Sequence, residues 1–201
     1  RVLFRSQYNA TSNEDLRIVG SGEINVLGLF WKDHDSVDGI EGQEVAIPND
    51  PSNQGRAINV LVQADLLKLK EGAPKLTPTP ADIDEAASKV KVVAVDASQT
   101  PNAYNEGRPA IINNTWLDRA GIEPSTSIFQ DDPNSKEAEP YINVFAARKD
   151  DIDDETLNKL VELWQTPEVE EAVAKDSKGT SVPVYRDKQE LNDILDRLQN
   201  K

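Results

Sequence analysis

The sequence predicts an α/β protein with a mostly parallel β-sheet. Short apolar runs alternate along the chain with segments whose apolar residues recur at helical spacing. The connections between these segments are short, and residues 90–95 form a near-continuous apolar run, as in a parallel strand covered on both faces. With 201 residues, of which 37% are hydrophobic, the chain can build one large domain or two small lobes.

The strand-like segments are short and apolar, and three of them end at Gly, Pro or Asn. They lie at residues 16–19, 24–31, 45–47, 90–95, 110–112 and 142–147. A helix is predicted directly after the third strand, because Asp50 is a favourable N-cap residue and Pro51 suits the first helical position. A second, short helix is predicted to start near Pro80.

The last part of the chain is predicted to be helical. Residues 121–140 are polar and acidic with three Pro, so they are interpreted as an exposed connection. Apolar residues then recur at helical spacing in three separate segments. These residues are Leu157, Leu160, Val161 and Trp164, then Val169, Ala172 and Val173, then Leu191, Ile194, Leu195 and Leu198.

Composition and charge exclude several classes of function. The chain has 36 acidic and 22 basic residues and a formal net charge of −14, and its basic residues are scattered, which argues against a nucleic-acid partner. The absence of Cys excludes disulfides, thiolate nucleophiles and zinc–cysteine sites. Because the chain has no Met and begins at Arg1, we expect a processed chain or a fragment.

No catalytic or metal site is predicted. The single His34 lies in a polar segment without a second ligand at helical spacing, which is typical of a surface loop. The acidic pairs 131–132 and 150–151 and the run 153–155 lack calcium-loop spacing and are interpreted as solvated loops or helix caps. Neither a nucleophile elbow nor a phosphate-binding glycine loop is present, so no cofactor is expected.

The segment at residues 45–57 has the features of a small-molecule site. It passes from the carboxyl end of a strand into a helix, which is where open α/β sheets bind ligands. Backbone N–H groups at the helix start favour an anion, and Arg56 can bind a carboxylate through two parallel hydrogen bonds. The alternative is a well-capped helix start that leaves Arg56 on the surface, and both interpretations remain open at this point.

Residues 45–57, followed by residues 66–72, closely resemble the methionine-binding lipoproteins of bacterial ABC importers, the NlpA/MetQ type. Further pieces match in the same order, and the resemblance spans residues 7–184. These matching pieces lie at residues 28–30, 110–113, 140–144 and 157–174. The resemblance implies a periplasmic-binding-protein-like (type II) two-lobed fold, with the lobes joined by crossover strands and closing on a ligand by a hinge motion.

The resemblance also implies a division of the chain into lobes. Residues 36–133 form lobe 2, whereas residues 7–35 are a remnant of lobe 1 with a crossover strand, and residues 134–201 supply a second crossover strand and the C-terminal helices of lobe 1. Lobe 1 is expected to be incomplete, because the chain is interpreted as N-terminally truncated. Residues 1–6 fit nothing in the family and are predicted to be an artefact.

The family's ligand-binding residues match four positions. Arg56 corresponds to the arginine that holds the ligand carboxylate. Asn113 and Asn143 correspond to the two asparagines that hydrogen-bond the amino-acid backbone, and Asn53 is a weaker candidate. A zwitterion taken out of water needs both charges met, and an asparagine offers a carbonyl to the ammonium and an amide to the carboxylate.

The implied function is that of a receptor, with no enzymatic step. The protein captures L-methionine or a related amino acid outside the cytoplasmic membrane and delivers it to the permease and ATPase subunits of an ABC importer. The full-length protein is a lipoprotein held at the membrane by a lipid anchor, since the family is anchored through an N-terminal Cys. The alternatives are D-methionine or a methionine-containing dipeptide as the ligand, or a surface interaction protein without a transport role.

Overall fold

The chain divides into two compact units. The computed structural model describes residues 1–12 and 14–199. Unit 1 comprises Arg1–Val26 and the segment from Asp132 onward, and unit 2 comprises Leu27–Asp131. The predicted lobe 2 at residues 36–133 overlaps most of unit 2. Among the described residues, no helix combines the length and the apolar character that a membrane span requires.

Helices and strands alternate, which confirms the predicted α/β class. The strands are β1 (Leu16–Ser21), β2 (Glu23–Asn25), β3 (Gly28–Phe30), β4 (Glu44–Pro48), β5 (Lys91–Val95), β6 (Ala110–Ile112), β7 (Ser127–Gln130), β8 (Val144–Arg148) and β9 (Ser181–Pro183). The helices are α1 (Val2–Ser12), α2 (Pro51–Gln63), α3 (Thr100–Asn105), α4 (Asn114–Ala120), α5 (Glu155–Trp164), α6 (Pro167–Asp176) and α7 (Lys188–Gln199).

Unit 2 is built on a five-stranded sheet in the order β5-β4-β6-β3-β7. Strand β4 pairs in parallel with β5 and β6, whereas β3 is antiparallel to both β6 and β7. Four strands therefore share one direction and β3 runs against them. The prediction of mostly parallel sheet holds for strand direction in unit 2, although two of its four strand pairings are antiparallel. It is wrong for the described strands of unit 1, where both strand pairs join distant parts of the chain in antiparallel register.

Both faces of the central strands of unit 2 are buried, because apolar side chains follow one another without a polar alternation. Along β4, Val45 and Ile47 enter one apolar cluster and Ala46 enters the other. Along β6, Ile111 enters the first cluster, and Ala110 and Ile112 enter the second. Since successive side chains of a strand point to opposite faces, a run without polar residues requires a cover on each side. Helix α2 covers one face, and α3 and α4 cover the other.

Two expectations about unit 2 were only partly correct. Strand β5 lies at the edge of the sheet and its side chains are partly exposed, although an apolar run predicted a strand covered on both faces. Residues 121–140 contain β7 rather than a simple exposed connection. The sequence did not reveal β7, because only Ile128 and Phe129 are apolar in it and neither is fully buried.

Helix α2 begins as the sequence predicts. The Asp50 carboxylate accepts a hydrogen bond of 3.0 Å from the backbone N–H of Asn53, and Pro51 occupies the first turn. One turn later, Gly55 lets a loop approach the helix closely. A Cβ atom at this position would lie 2.9 Å from Thr77 Cα and 3.1 Å from the Leu76 carbonyl oxygen, so only Gly fits without a backbone shift.

In unit 1, α7 packs against strand β1 of the antiparallel pair β1–β8, and α1 packs against α7. Two asparagines pair with the backbone of β1. The side chain of Asn9 both donates to the Leu16 carbonyl and accepts from the Leu16 N–H, and Asn192 does the same at Ile18. Both therefore satisfy strand-edge groups that would otherwise lack a partner.

Val2 and Leu3 are buried in unit 1. The Val2 N–H donates to the carbonyl of Ile142 at 3.1 Å, and Val2 belongs to the same apolar cluster as Ile18 and Leu195. Residues 1–6 thus pack as part of this unit.

We predict that Gly55→Ala destabilises the protein. Alanine is favoured over glycine inside a helix by about 1 kcal/mol, but the clash with the backbone of residues 76 and 77 opposes this gain, since overpacking destabilises by about 1–3 kcal/mol. A lower midpoint of urea unfolding is expected. Gln63→Ala, at an exposed position of the same helix, is the matched control and should leave the midpoint unchanged. A rise in the midpoint for Gly55→Ala would contradict the close approach.

Candidate functional site

Polar side chains gather at one edge of the unit 2 sheet. Strands β4 and β6 are parallel neighbours, and β7 runs in the same direction, so their carboxyl ends meet at the same edge. The segments that follow these three strands carry Arg56, Asn113 and Asp131. Leu27, which precedes the reversed strand β3, lies at this edge as well. This is the edge at which open α/β sheets place ligands.

Arg56 is one of the largest fully buried side chains of the protein, with only 2% of its surface exposed. Its Nε and Nη2 atoms both donate to the Oδ2 atom of Asp131, at 2.8 and 2.7 Å. The alternative prediction that Arg56 lies on the surface is therefore wrong. A buried guanidinium is stable only when its positive charge is balanced, and the carboxylate of Asp131 supplies the balancing negative charge.

Asp131 is 5% exposed and connects Arg56 to Leu27, the first residue of the unit. Its Oδ1 atom accepts a hydrogen bond of 2.9 Å from the Leu27 N–H, and its own N–H donates to the Leu27 carbonyl at 3.2 Å. The interpretation of Asp131 as a solvated loop residue is wrong, because it directly follows β7, which had not been predicted. Asp132, the other member of this acidic pair, is exposed and its carboxylate accepts the Asn134 N–H.

Asn113 connects β6 to α4 and occupies the N-cap position of that helix. Its Oδ1 atom is buried and has no hydrogen-bond partner within the described part of the chain. An N-cap asparagine ordinarily accepts a helix N–H with this oxygen, and α4 makes no such bond. A buried carbonyl oxygen without a donor is rare in folded proteins, so Asn113 has an acceptor available for a bound molecule.

Asn53 takes part in the start of α2. Its Nδ2 atom donates to both carboxylate oxygens of Asp50, at 3.1 and 3.0 Å, and its backbone N–H donates to the same carboxylate. These bonds to the N-cap residue Asp50 give Asn53 a structural role at the start of the helix within residues 45–57. The side-chain amide is oriented by Asp50.

Asn143 belongs to unit 1, just before β8. Its Nδ2 atom donates to Glu23 Oε1 at 3.2 Å, and its backbone N–H donates to the Glu23 carbonyl at 2.9 Å. Its own carbonyl accepts the N–H of Gly22. Because Glu23 bonds both the backbone and the side chain, it determines the orientation of the Asn143 amide. The sequence alone gave no reason to single out Glu23.

Tyr185, also in unit 1, is influenced by the carboxylates of Glu170 and Glu23. The Tyr185 hydroxyl donates to the carboxylate of Glu170. Partial burial, together with this bond and the negative charges of Glu170 and then Glu23, raises the pKa of Tyr185 to about 12. Tyr185 therefore remains a neutral hydrogen-bond donor at physiological pH.

Each predicted residue now has a position. Arg56, Asn53 and Asn113 all lie in unit 2 on segments that follow β4 and β6, whereas Asn143 lies in unit 1. His34 is exposed in a turn and stacks on Trp31, as its surface-loop interpretation predicts. In chemical terms, unit 2 offers a buried cation at Arg56 and a buried acceptor at Asn113.

Solved structures of similar fold come from several bacteria. The protein PG110 from Staphylococcus aureus superimposes with a TM-score of 0.85 at 34% identity, covering 98% of this chain and 78% of that one. A nutrient binding protein from Burkholderia cenocepacia, solved bound to methionine, gives a TM-score of 0.76 at 31% identity over 91% of this chain and 76% of that one. These similarities confirm the expected periplasmic-binding-protein-like (type II) fold.

A curated relative, the D-methionine-binding lipoprotein MetQ of Salmonella typhi, is 35% identical over 168 residues. The alignment covers 82% of this chain, but the chain spans only about 60% of the length of that relative. The family model described as "NlpA lipoprotein" matches residues 2–185, and the match thus begins inside residues 1–6, the segment predicted to lie outside the family. Since this match extends over nearly the whole sequence, the chain belongs to the NlpA lipoprotein family.

Proposed function

We propose that this protein is the substrate-binding component of an ABC importer and that it captures methionine or a related amino acid. The observation that carries the proposal is the buried guanidinium of Arg56 at the carboxyl edge of the unit 2 sheet. Directly after the neighbouring strand β6, the buried Oδ1 atom of Asn113 has no hydrogen-bond partner among the described residues. The names of relatives support the choice of ligand, since they include a D-methionine-binding lipoprotein and a binding protein solved with methionine.

The two groups suit the two ends of a free amino acid. Arg56 is a cation for the ligand carboxylate, and Asn113 Oδ1 is an acceptor for the ligand ammonium. The resemblance adds Asn143 as a second amide that binds the amino-acid backbone, with Asn53 as a weaker candidate. Binding of this kind makes and breaks no covalent bond, so the protein acts as a receptor and not as an enzyme.

The proposed partners follow from the importer role. The permease and ATPase subunits would receive the ligand, and a lipid anchor would hold the full-length protein at the outer side of the cytoplasmic membrane. Two ligand alternatives remain, D-methionine and a methionine-containing dipeptide. Calorimetric titration with each enantiomer and with a methionine dipeptide ranks them directly. If none of the three binds, a surface interaction role without transport becomes the better proposal.

We predict that Arg56→Lys weakens methionine binding at least about tenfold. Lysine keeps the positive charge beside Asp131 but cannot form two parallel hydrogen bonds to a carboxylate. Arg56→Ala is a poorer test, because it leaves the buried Asp131 charge uncompensated and such a loss destabilises a protein by about 3–5 kcal/mol.

Arg108→Lys is the matched control for this substitution. Arg108 pairs with Glu106 at 2.8 Å, as Arg56 pairs with Asp131, but its side chain is 39% exposed. Its replacement should leave the calorimetric Kd unchanged. Equal affinities for Arg56→Lys and the unmodified protein would exclude the carboxylate-binding role of Arg56.

We predict opposite effects of Asn113→Ala on stability and on binding. The change removes a buried carbonyl oxygen that has no partner among the described residues, and burying such a group costs about 1–3 kcal/mol, so the unliganded protein should melt at an unchanged or higher temperature. Methionine affinity should nevertheless fall about tenfold, because the ammonium loses an acceptor.

The neighbouring Asn114 provides the control, since its Oδ1 atom accepts the Thr115 N–H and is therefore already used. Asn114→Ala should leave the methionine affinity unchanged. A large loss of thermal stability for Asn113→Ala with unchanged affinity would show that Asn113 has a structural role only.

We predict that Asn143→Ala lowers methionine affinity by about tenfold, through loss of the amide that Glu23 orients. Asn134→Ala, at an exposed asparagine of the same unit, should bind like the unmodified protein. Titration of both variants under the same conditions measures the difference. An unchanged affinity for Asn143→Ala would remove this residue from the proposed ligand set.

A further inference from the structure

Asp131 is a buried charge that the predicted ligand set does not include. It is the last residue of unit 2, and its two carboxylate oxygens have separate partners. Oδ2 receives both the Nε and Nη2 hydrogens of Arg56, while Oδ1 receives the backbone N–H of Leu27, the first residue of the unit. The carboxylate is thus held in place by three N–H groups.

This arrangement has two physical effects on Arg56. The two bonds to Oδ2 hold the Nε–Nη2 edge of the guanidinium against Asp131, which restricts its orientation. The negative charge of Asp131 also cancels the positive charge of Arg56 in an environment with little water, where charges act strongly on each other. A ligand carboxylate therefore meets an oriented donor whose charge is already compensated.

The charge balance decides which ligands are favoured. A free amino acid carries no net charge, so adding it to the neutral Arg56–Asp131 pair keeps the buried region neutral. A simple carboxylate without an ammonium group adds a net negative charge beside Asp131. Because an uncompensated buried charge is strongly unfavourable, the pair should disfavour such an anion.

We propose that Asp131 is a positioning and specificity-determining residue, which orients Arg56 and makes the site select net-neutral zwitterions over simple carboxylates. This inference rests on the proposed function, since it requires that Arg56 binds the ligand carboxylate. It goes beyond that function by naming the residue that determines the charge class of the ligand.

The test compares two ligands that share a side chain and a carboxylate. Methionine is the zwitterion, and 4-(methylthio)butanoate is the same molecule without the amino group. Calorimetric Kd values for both ligands are measured with the full chain and with the variants Asp131→Asn and Asp131→Glu. Asparagine removes the charge but keeps an acceptor for the Leu27 N–H, whereas glutamate keeps the charge and displaces it by one methylene group.

The diagnostic quantity is the ratio of the Kd for the anion to the Kd for methionine. Any loss of Arg56 orientation affects both ligands, because both carry the carboxylate, so this loss cancels in the ratio. We expect Asp131→Asn to lower the ratio at least about tenfold, since the site gains a net positive charge. In Asp131→Glu both affinities should weaken together, and the ratio should stay within about twofold of the original value.

The possible outcomes separate the two proposals. The inference is overturned if the ratio is unchanged in Asp131→Asn or if the anion still fails to bind this variant. In that case, methionine binding by the original protein still supports the proposed function. Absence of methionine binding by the original protein overturns both. If Asp131→Asn does not fold, as judged by circular dichroism, Asp131→Ser is also neutral and undergoes the same test with the same expected fall in the ratio.

Discussion

The buried ion pair between Arg56 and Asp131 is the constraint on which the candidate site of unit 2 depends. Neither charge is stable alone in an interior with little water, so the end of β7 and the second turn of α2 must stay together. The bonds between Asp131 and Leu27 extend this requirement to the start of β3. One carboxylate therefore holds a helix and two strand ends in a fixed arrangement.

The sheet explains why a polar pair can lie at this place. Its central strands are apolar on both faces and helices cover each face, so the sheet itself presents polar groups at its strand ends. At the carboxyl edge, the first turn of α2 and the N-cap of α4 bring backbone N–H groups and amides to the same region. The parallel pairing of β4 and β6 thus determines where ligand chemistry is available.

Local signals were sufficient for some elements and insufficient for others. The strand, cap and helix at residues 44–63 were predictable, since Asp50 and Pro51 are strong start signals and the apolar pattern is clear. Asp131 was not, because its burial results from a partner 75 positions away and from a weakly apolar strand. The same holds for the buried Oδ1 atom of Asn113, which has no hydrogen-bond partner in the described part of the chain, because such an arrangement depends on packing and has no sequence signature.

The asparagines that pair with β1 have a consequence for association between molecules. Asn9 and Asn192 use the donors and acceptors of Leu16 and Ile18 in the way an adjoining strand would use them. A strand from another molecule could add to this edge only by displacing both side chains and breaking four hydrogen bonds. Within the described part of the chain, two amides therefore protect this edge of β1 against pairing with a strand of another molecule, a contact that can lead to aggregation.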